Sequence, residues 1–183
     1  MPPLKAPEFT KLAHQRLDPT LKAWGFKRTR KASPASWCRP EGGSWLVFWF
    51  QPRSSNDAYS AGYRFTLEFL LGPEPEIYGG GFRRRFPTLL TDAGKEQLRL
   101  LENQAIAKLP PPNMAFIGQL PESTREHVLE GWRPRITPYG ANEDVWMRQG
   151  NEDDVEALLE FITTELPGVI VRFLSAARAE SSS

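Results

Sequence analysis

Apolar positions near the start of the chain switch from a helical to an extended period. Phe9, Leu12, Ala13 and Leu17 recur at helical spacing and Pro7 suits a first turn, so a helix is predicted over residues 7–17. Pro19 restarts the chain, residues 21–24 make a second short turn, and Gly25 is placed to close it in the left-handed conformation. Beyond Gly25 the period falls to two. Residues 26–32 read as a charged, exposed strand and residues 36–39 as another, with Ser33-Pro34 turning between them. Pro40-Glu41-Gly42-Gly43 is a hairpin connection. Residues 44–50 are apolar on both faces, as a central strand requires. Tyr63, Phe65, Leu67, Phe69 and Leu71 then alternate with Arg64, Thr66 and Glu68 in the clearest strand of the chain.

The second half is less regular. Gly79-Gly80-Gly81, followed by Phe82, Arg83, Arg84, Arg85, Phe86 and Pro87, reads as a flexible loop. Thr91 or Asp92 caps a helix to about residue 108, with Leu98, Leu101, Ala105 and Leu109 on one side, and Pro110-Pro111-Pro112 ends it. Ser123-x-x-Glu126 is a capping-box pattern opening a helix to about Gly131. Short strands are expected over 135–139 and 144–148. Asn151 then caps a helix with Glu152, Asp153 and Asp154 at the positive end of its dipole and Val155, Leu158, Leu159 and Ile162 on its core face. Pro167-Gly168 should break it, leaving a last helical segment over 169–177 and a disordered tail over 179–183. The pattern predicts an α+β fold: an antiparallel sheet of five or six strands with the N- and C-terminal helices packed on one face. Residues 1–183 form a single domain, with 73–132 as a helical and loop insertion too poor in large apolar residues for its own core.

Composition narrows the chemistry. The chain has 183 residues with a single cysteine and two histidines, which excludes a disulfide framework and the multi-Cys and His-rich metal motifs. A net charge of +1 conceals a polarity: residues 1–100 carry 16 Lys/Arg and 9 Asp/Glu (+7), residues 101–183 carry 7 and 13 (−6). The two halves either pair internally or present opposite faces. With no apolar leader and no membrane-length apolar run, the expected location is cytoplasmic, with no membrane partner.

Several residues stand in a recurring arrangement. Leu21-Lys22-Ala23-Trp24-Gly25-Phe26-Lys27-Arg28 follows a helix, Phe48-Trp49-Phe50-Gln51 ends an aromatic strand, Phe65-Thr66-Leu67 lies in the next strand, and Asp144-Val145-Trp146 precedes the last helix. This layout resembles the bacterial domain-of-unknown-function family 4304 over roughly residues 8–72 and 143–175. The resemblance implies the same α+β layout and carries no activity, catalytic residue or cofactor.

Tested for chemistry, most constellations have structural explanations. Cys38 would need His14 or His127 as a base to act as a nucleophile, and beside Trp37 in an aromatic strand it reads instead as a buried, inert thiol. Asp153/Asp154 is explained by helix capping, and acid–base work by pairs such as Glu143/Asp144 requires convergence in a cleft, which spacing alone does not show. The glycine triplet with its three arginines lacks the following helix that a phosphate cradle uses. No metal or other cofactor is called for. The one patch not absorbed is basic and aromatic: Lys27, Arg28, Arg30, Lys31 and Arg39, in a stretch without Asp or Glu from residue 19 to 40, joined by Arg83, Arg84 and Arg85 and near Trp37, Trp45 and Trp49. These eight cations are the candidate binding surface. The expected function is that of a non-enzymatic binding protein whose partner is another protein, in a toxin-antagonist or regulatory setting. The alternatives are single-stranded nucleic-acid binding through that patch and an enzyme of unrecognised type.

Overall fold

The computed structural model describes residues 4–29, 35–52, 63–140 and 146–181. The first helix, α1 (Ala6–Ala23), carries Phe9, Ala13, Leu17 and Leu21 as an unbroken buried stripe and runs straight through Pro19. A break was expected there. Pro19 is exposed, so its ring and the hydrogen bond it forgoes both face solvent, while the apolar stripe holds the two halves in line. At Gly25 (φ +80°) the helix closes: Gly25 N–H donates to the Lys22 carbonyl and Phe26 N–H to that of Leu21, both at 3.0 Å. That reciprocal pair needs a left-handed residue, which a Cβ would disfavour.

Strands β1 (Lys27–Arg28), β2 (Ser36–Glu41), β3 (Ser44–Pro52) and β4 (Tyr63–Gly72) follow as an antiparallel meander, with a Gly42-Gly43 turn between β2 and β3. β5 (Phe82–Arg85) and β6 (Met147–Gln149) pair end to end along the free edge of β4, giving a six-stranded sheet. The predicted loop over 79–87 is thus mostly ordered backbone, because the strand edge of β4 satisfies Phe82–Arg85 and a 3-10 turn (Phe86–Leu89) returns the chain to the core. Gly81 makes the approach possible: a Cβ there would meet the Leu71 carbonyl oxygen at 2.2 Å.

Helix α2 (Asp92–Ala107) is capped by Thr91, whose hydroxyl accepts from Gly94 N–H. Short α3 (Met114–Ile117) and α4 (Glu122–Glu130) come next; α4 starts before the Ser123 capping pattern, at Pro121. Residues 135–139 form no strand, and of the strand expected over 144–148 only β6 is present, with residues 144 and 145 outside the described residues. The last helix, α5 (Glu152–Ser181), is a single element of 30 residues that passes through exposed Pro167 and takes in residues 179–181 of the expected tail. Residues 182 and 183 lie outside the described residues.

The fold is α+β, an antiparallel sheet with the terminal helices on one face. Register assigns the faces, because neighbouring side chains on a strand point opposite ways. The inner rows are Arg28–Trp37–Phe48–Phe69–Arg84 and Arg39–Leu46–Leu71–Phe82. Phe9 of α1 sits edge-on to Phe50 and Phe65 at 4.9 and 4.8 Å, and Phe173 of α5 packs on Phe69 and Phe82 at 5.4 and 5.2 Å. Phe86, Leu89, Leu90 and Leu98 join the same core, so this stretch of the expected insertion is built into the domain. Among the described residues, the outer face carries a small cluster, Val47, Leu70 and Ile77, with Cys38, Trp45 and Trp49 against it.

Candidate functional site

The sheet divides the eight candidate cations. Arg28, Arg39 and Arg84 fall in the inner rows, whereas Lys27, Arg83 and Arg85 fall in the outer ones; Arg30 and Lys31 lie outside the described residues. Most of the described six are already engaged. Arg28 grips the Asp18 carboxylate through Nε (2.9 Å) and Nη2. Arg39 bonds Glu41 at 2.8 Å and the Trp24 carbonyl at 3.0 Å. Arg83 reaches Glu68 (3.3 Å) and the carbonyls of Ile77 and Gly79, tying the 73–81 loop over the outer face. Arg84 pairs with Glu180, and Arg85 donates to the Thr66 hydroxyl at 2.6 Å beside the Trp146 ring. Lys27 makes no ion pair with a described carboxylate.

The tryptophans divide the same way. Trp37 is core, 2% exposed. Trp45 and Trp49 stand half-buried on the outer face with Val47 between them, and Tyr78, 78% exposed, lies edge-on to Trp49 at 6.4 Å. The result is an aromatic outer surface crossed by a row Ser36–Trp49–Glu68–Arg85.

On the helix side, Asp18 is a hub between α1 and β1. Besides Arg28 it accepts the Trp37 indole N–H at 2.7 Å. Burial by itself would raise this carboxyl, but the hydrogen bonds from Arg28 and Trp37 outweigh it and hold Asp18 below its usual range. His14, one turn earlier, meets Trp37 edge-on at 5.5 Å. Cys38 and His14 are on opposite sides of β2, so they form no nucleophile–base pair, and burial pushes the Cys38 thiol up despite nearby Lys27. The side chain of His127 and the pair Glu143/Asp144 lie outside the described residues.

Asp154 is absorbed by the start of α5. Asn151 and Asp154 exchange side-chain-to-backbone hydrogen bonds at 3.1 Å each, and Lys108 pairs with Asp154. Asp153 instead lines an acidic groove of about 830 Å³ with Glu152, Glu156 and Glu160, bridged by an Arg16–Glu156 ion pair at 2.7 Å.

The least expected group is Glu102 of α2, which is 2% exposed. It accepts the Tyr139 hydroxyl at 2.5 Å and the Arg148 backbone N–H at 2.7 Å. Burial raises its carboxyl above the ordinary range, with these two bonds opposing. Arg135 lies over the Tyr139 ring at 3.8 Å, and Asn103 and Arg99 bond the Arg135 carbonyl at 2.9 Å. A sequence signal for Glu102 existed, because it falls four residues after Leu98 and three before Ala105 on the buried side of α2.

None of the protein-family models, curated proteins or solved structures compared with the chain matches it. Among the described residues, no three His, Cys, Asp or Glu side chains gather as a metal site, and no helix is long and apolar enough to cross a membrane.

Proposed function

We propose that this chain is a non-enzymatic cytoplasmic binding protein whose partner is another protein, engaged through the outer face of the sheet. One observation carries the reading: half-exposed Trp45 and Trp49 and exposed Tyr78 share that face with arginines already bonded within the chain. Trp, Tyr and Arg in close company are the composition of protein-interface hot spots. A nucleic-acid footprint draws instead on cations free to replace counterions, and Arg28, Arg39, Arg83 and Arg84 each hold a carboxylate. Lys27 at one edge of the face favours a partner surface bearing acidic groups around apolar ones. Within the same proposal the chain is a member of domain-of-unknown-function family 4304. That reading is supported by Leu21–Lys27 forming the α1–β1 junction and by Phe65-Thr66-Leu67 lying on β4.

The test compares baits. A partner retained by the native protein should be lost by Tyr78→Ala with Trp49→Ala, and by Trp45→Ala alone, with unchanged circular dichroism. Capture indifferent to all three substitutions removes this face from the reading. The second reading, single-stranded nucleic acid, draws on the same two outward tryptophans. It predicts low-salt retention of oligonucleotides in a gel shift, lost on charge reversal at Lys27; such retention would replace the protein-partner reading.

A further inference from the structure

A second surface lies along α1 and the edge strand β1, and it shares Lys27 with the aromatic face. Lys11, His14, Asp18 and Lys22 follow one another every three or four residues along the exposed flank of α1. At 1.5 Å per residue this stripe is about 16 Å long, the reach of roughly five extended residues. Two depressions run along it and meet at the Asp18–Arg28 pair. One, of about 510 Å³, is lined by Lys11, His14 and Asp18; the other, of about 280 Å³, lies among Lys22, Lys27 and Arg28 over the edges of Phe26 and Trp37. The smaller depression falls short of the roughly 300–1,000 Å³ typical of sites that enclose a small molecule. A slot of that size, open into a longer groove, fits one side chain of an extended ligand.

Charge selects the ligand. Among the described residues, Asp18 is the only carboxylate lining either depression, and Arg28 and Trp37 already satisfy it. Lys11, Lys22 and Lys27 make no ion pair with a described carboxylate. The groove therefore offers three ammonium groups that no described carboxylate neutralises, around an apolar slot, with the Asp18–Arg28–Trp37 bonds fixing its floor before anything binds.

We infer that the α1–β1 groove binds an extended acidic segment of a partner protein, seating one apolar side chain over Phe26 and Trp37 and its carboxylates against Lys11, Lys22 and Lys27. The test is fluorescence anisotropy at low salt with three labelled short peptides: Asp and Glu around a central Leu, the same acids without Leu, and Lys around Leu. The first should bind, weaken steeply with salt, and exceed the other two severalfold. Lys11→Glu with Lys22→Glu should weaken it about tenfold or more, and Lys27→Glu alone severalfold; none of the three lysines pairs with a described carboxylate or lies in the core, so their reversal leaves the core intact. Trp49→Ala should not change it, which separates this groove from the outer-face reading. No binding at low salt, equal binding of the Lys peptide, insensitivity to the lysine reversals, or stronger competition by inorganic phosphate or a single-stranded oligonucleotide would each overturn the inference.

Discussion

Asp18 shows how much one side chain can organise. It sits mid-helix, where a carboxylate reads from sequence as solvated surface, yet Arg28 from β1 and the Trp37 indole from β2 both converge on it. Nothing in the local pattern announces this, because the partners arrive through chain reversals at Gly25 and between β1 and β2. Cys38 is the opposite case: its aromatic neighbours speak for a buried thiol, but on the outer face of β2 it is only half-buried, and His14 is on the other side of the strand. Asp18 also makes a pH prediction. Its folded-state carboxyl lies below the unfolded value near about 3.9, so its contribution is complete above that pH and is lost as pH falls through the folded value. With Asp18 and Arg28 both partly exposed, Asp18→Asn should cost about 1 kcal/mol at neutral pH. It should also remove part of the native protein's stability loss on acidification below about pH 4. Urea titrations of both proteins across that range decide it, and parallel pH profiles would count against the hub.

At the scale of elements, periodicity located the two long helices and the three central strands, and it failed where punctuation residues were taken at face value. Pro19 and Pro167 lie on exposed flanks of α1 and α5 while the buried stripes continue past them. Tertiary packing thus overrides a local cost of about 3 kcal/mol. Pro167→Ala should accordingly raise the melting temperature, since it restores a backbone donor and relieves the ring clash without touching a buried group. A fall would mean that the proline-shaped course of α5 is needed to place Phe173 on Phe69 and Phe82. Gly25→Ala should do the reverse, costing about 1 kcal/mol for a side chain held in the left-handed region. β5 escaped the sequence for a different reason. Three consecutive arginines carry no apolar alternation, and the strand exists because β4 offers an unpaired edge and Gly81 lets the chain approach it.

For the whole molecule, the cancelling charges of the two halves are partly joined: Arg16–Glu156 and Arg84–Glu180 both tie the first half to α5. These are exposed pairs of small individual worth, so a basic groove and an acidic one persist on the molecule. The candidate patch was legible as residue types but not as one surface, since strand alternation sends Lys27, Arg83 and Arg85 outward and Arg28, Arg39 and Arg84 inward. What closes the far end of the molecule is the buried Glu102, which joins α2 to Tyr139 in the 131–140 segment and to the backbone of β6. Its carboxyl is raised in the folded state, so the folded chain holds that proton more tightly than the unfolded chain does. Stability from this group is therefore greatest in acid and declines as pH rises from the unfolded value, about 4.3, through the folded one. Glu102→Gln keeps an oxygen to accept from Tyr139 or Arg148 and has no charge to desolvate, so it should flatten that decline and match or exceed the native protein near neutral pH. Glu102→Ala leaves both donors without an acceptor and should be the least stable of the three, by about 2–3 kcal/mol. Denaturation midpoints measured from pH 4 to 8 separate the variants. If Glu102→Gln instead loses stability at neutral pH as Glu102→Ala does, the carboxylate's charge is itself holding Tyr139 and β6 in place, and the burial account of Glu102 is wrong.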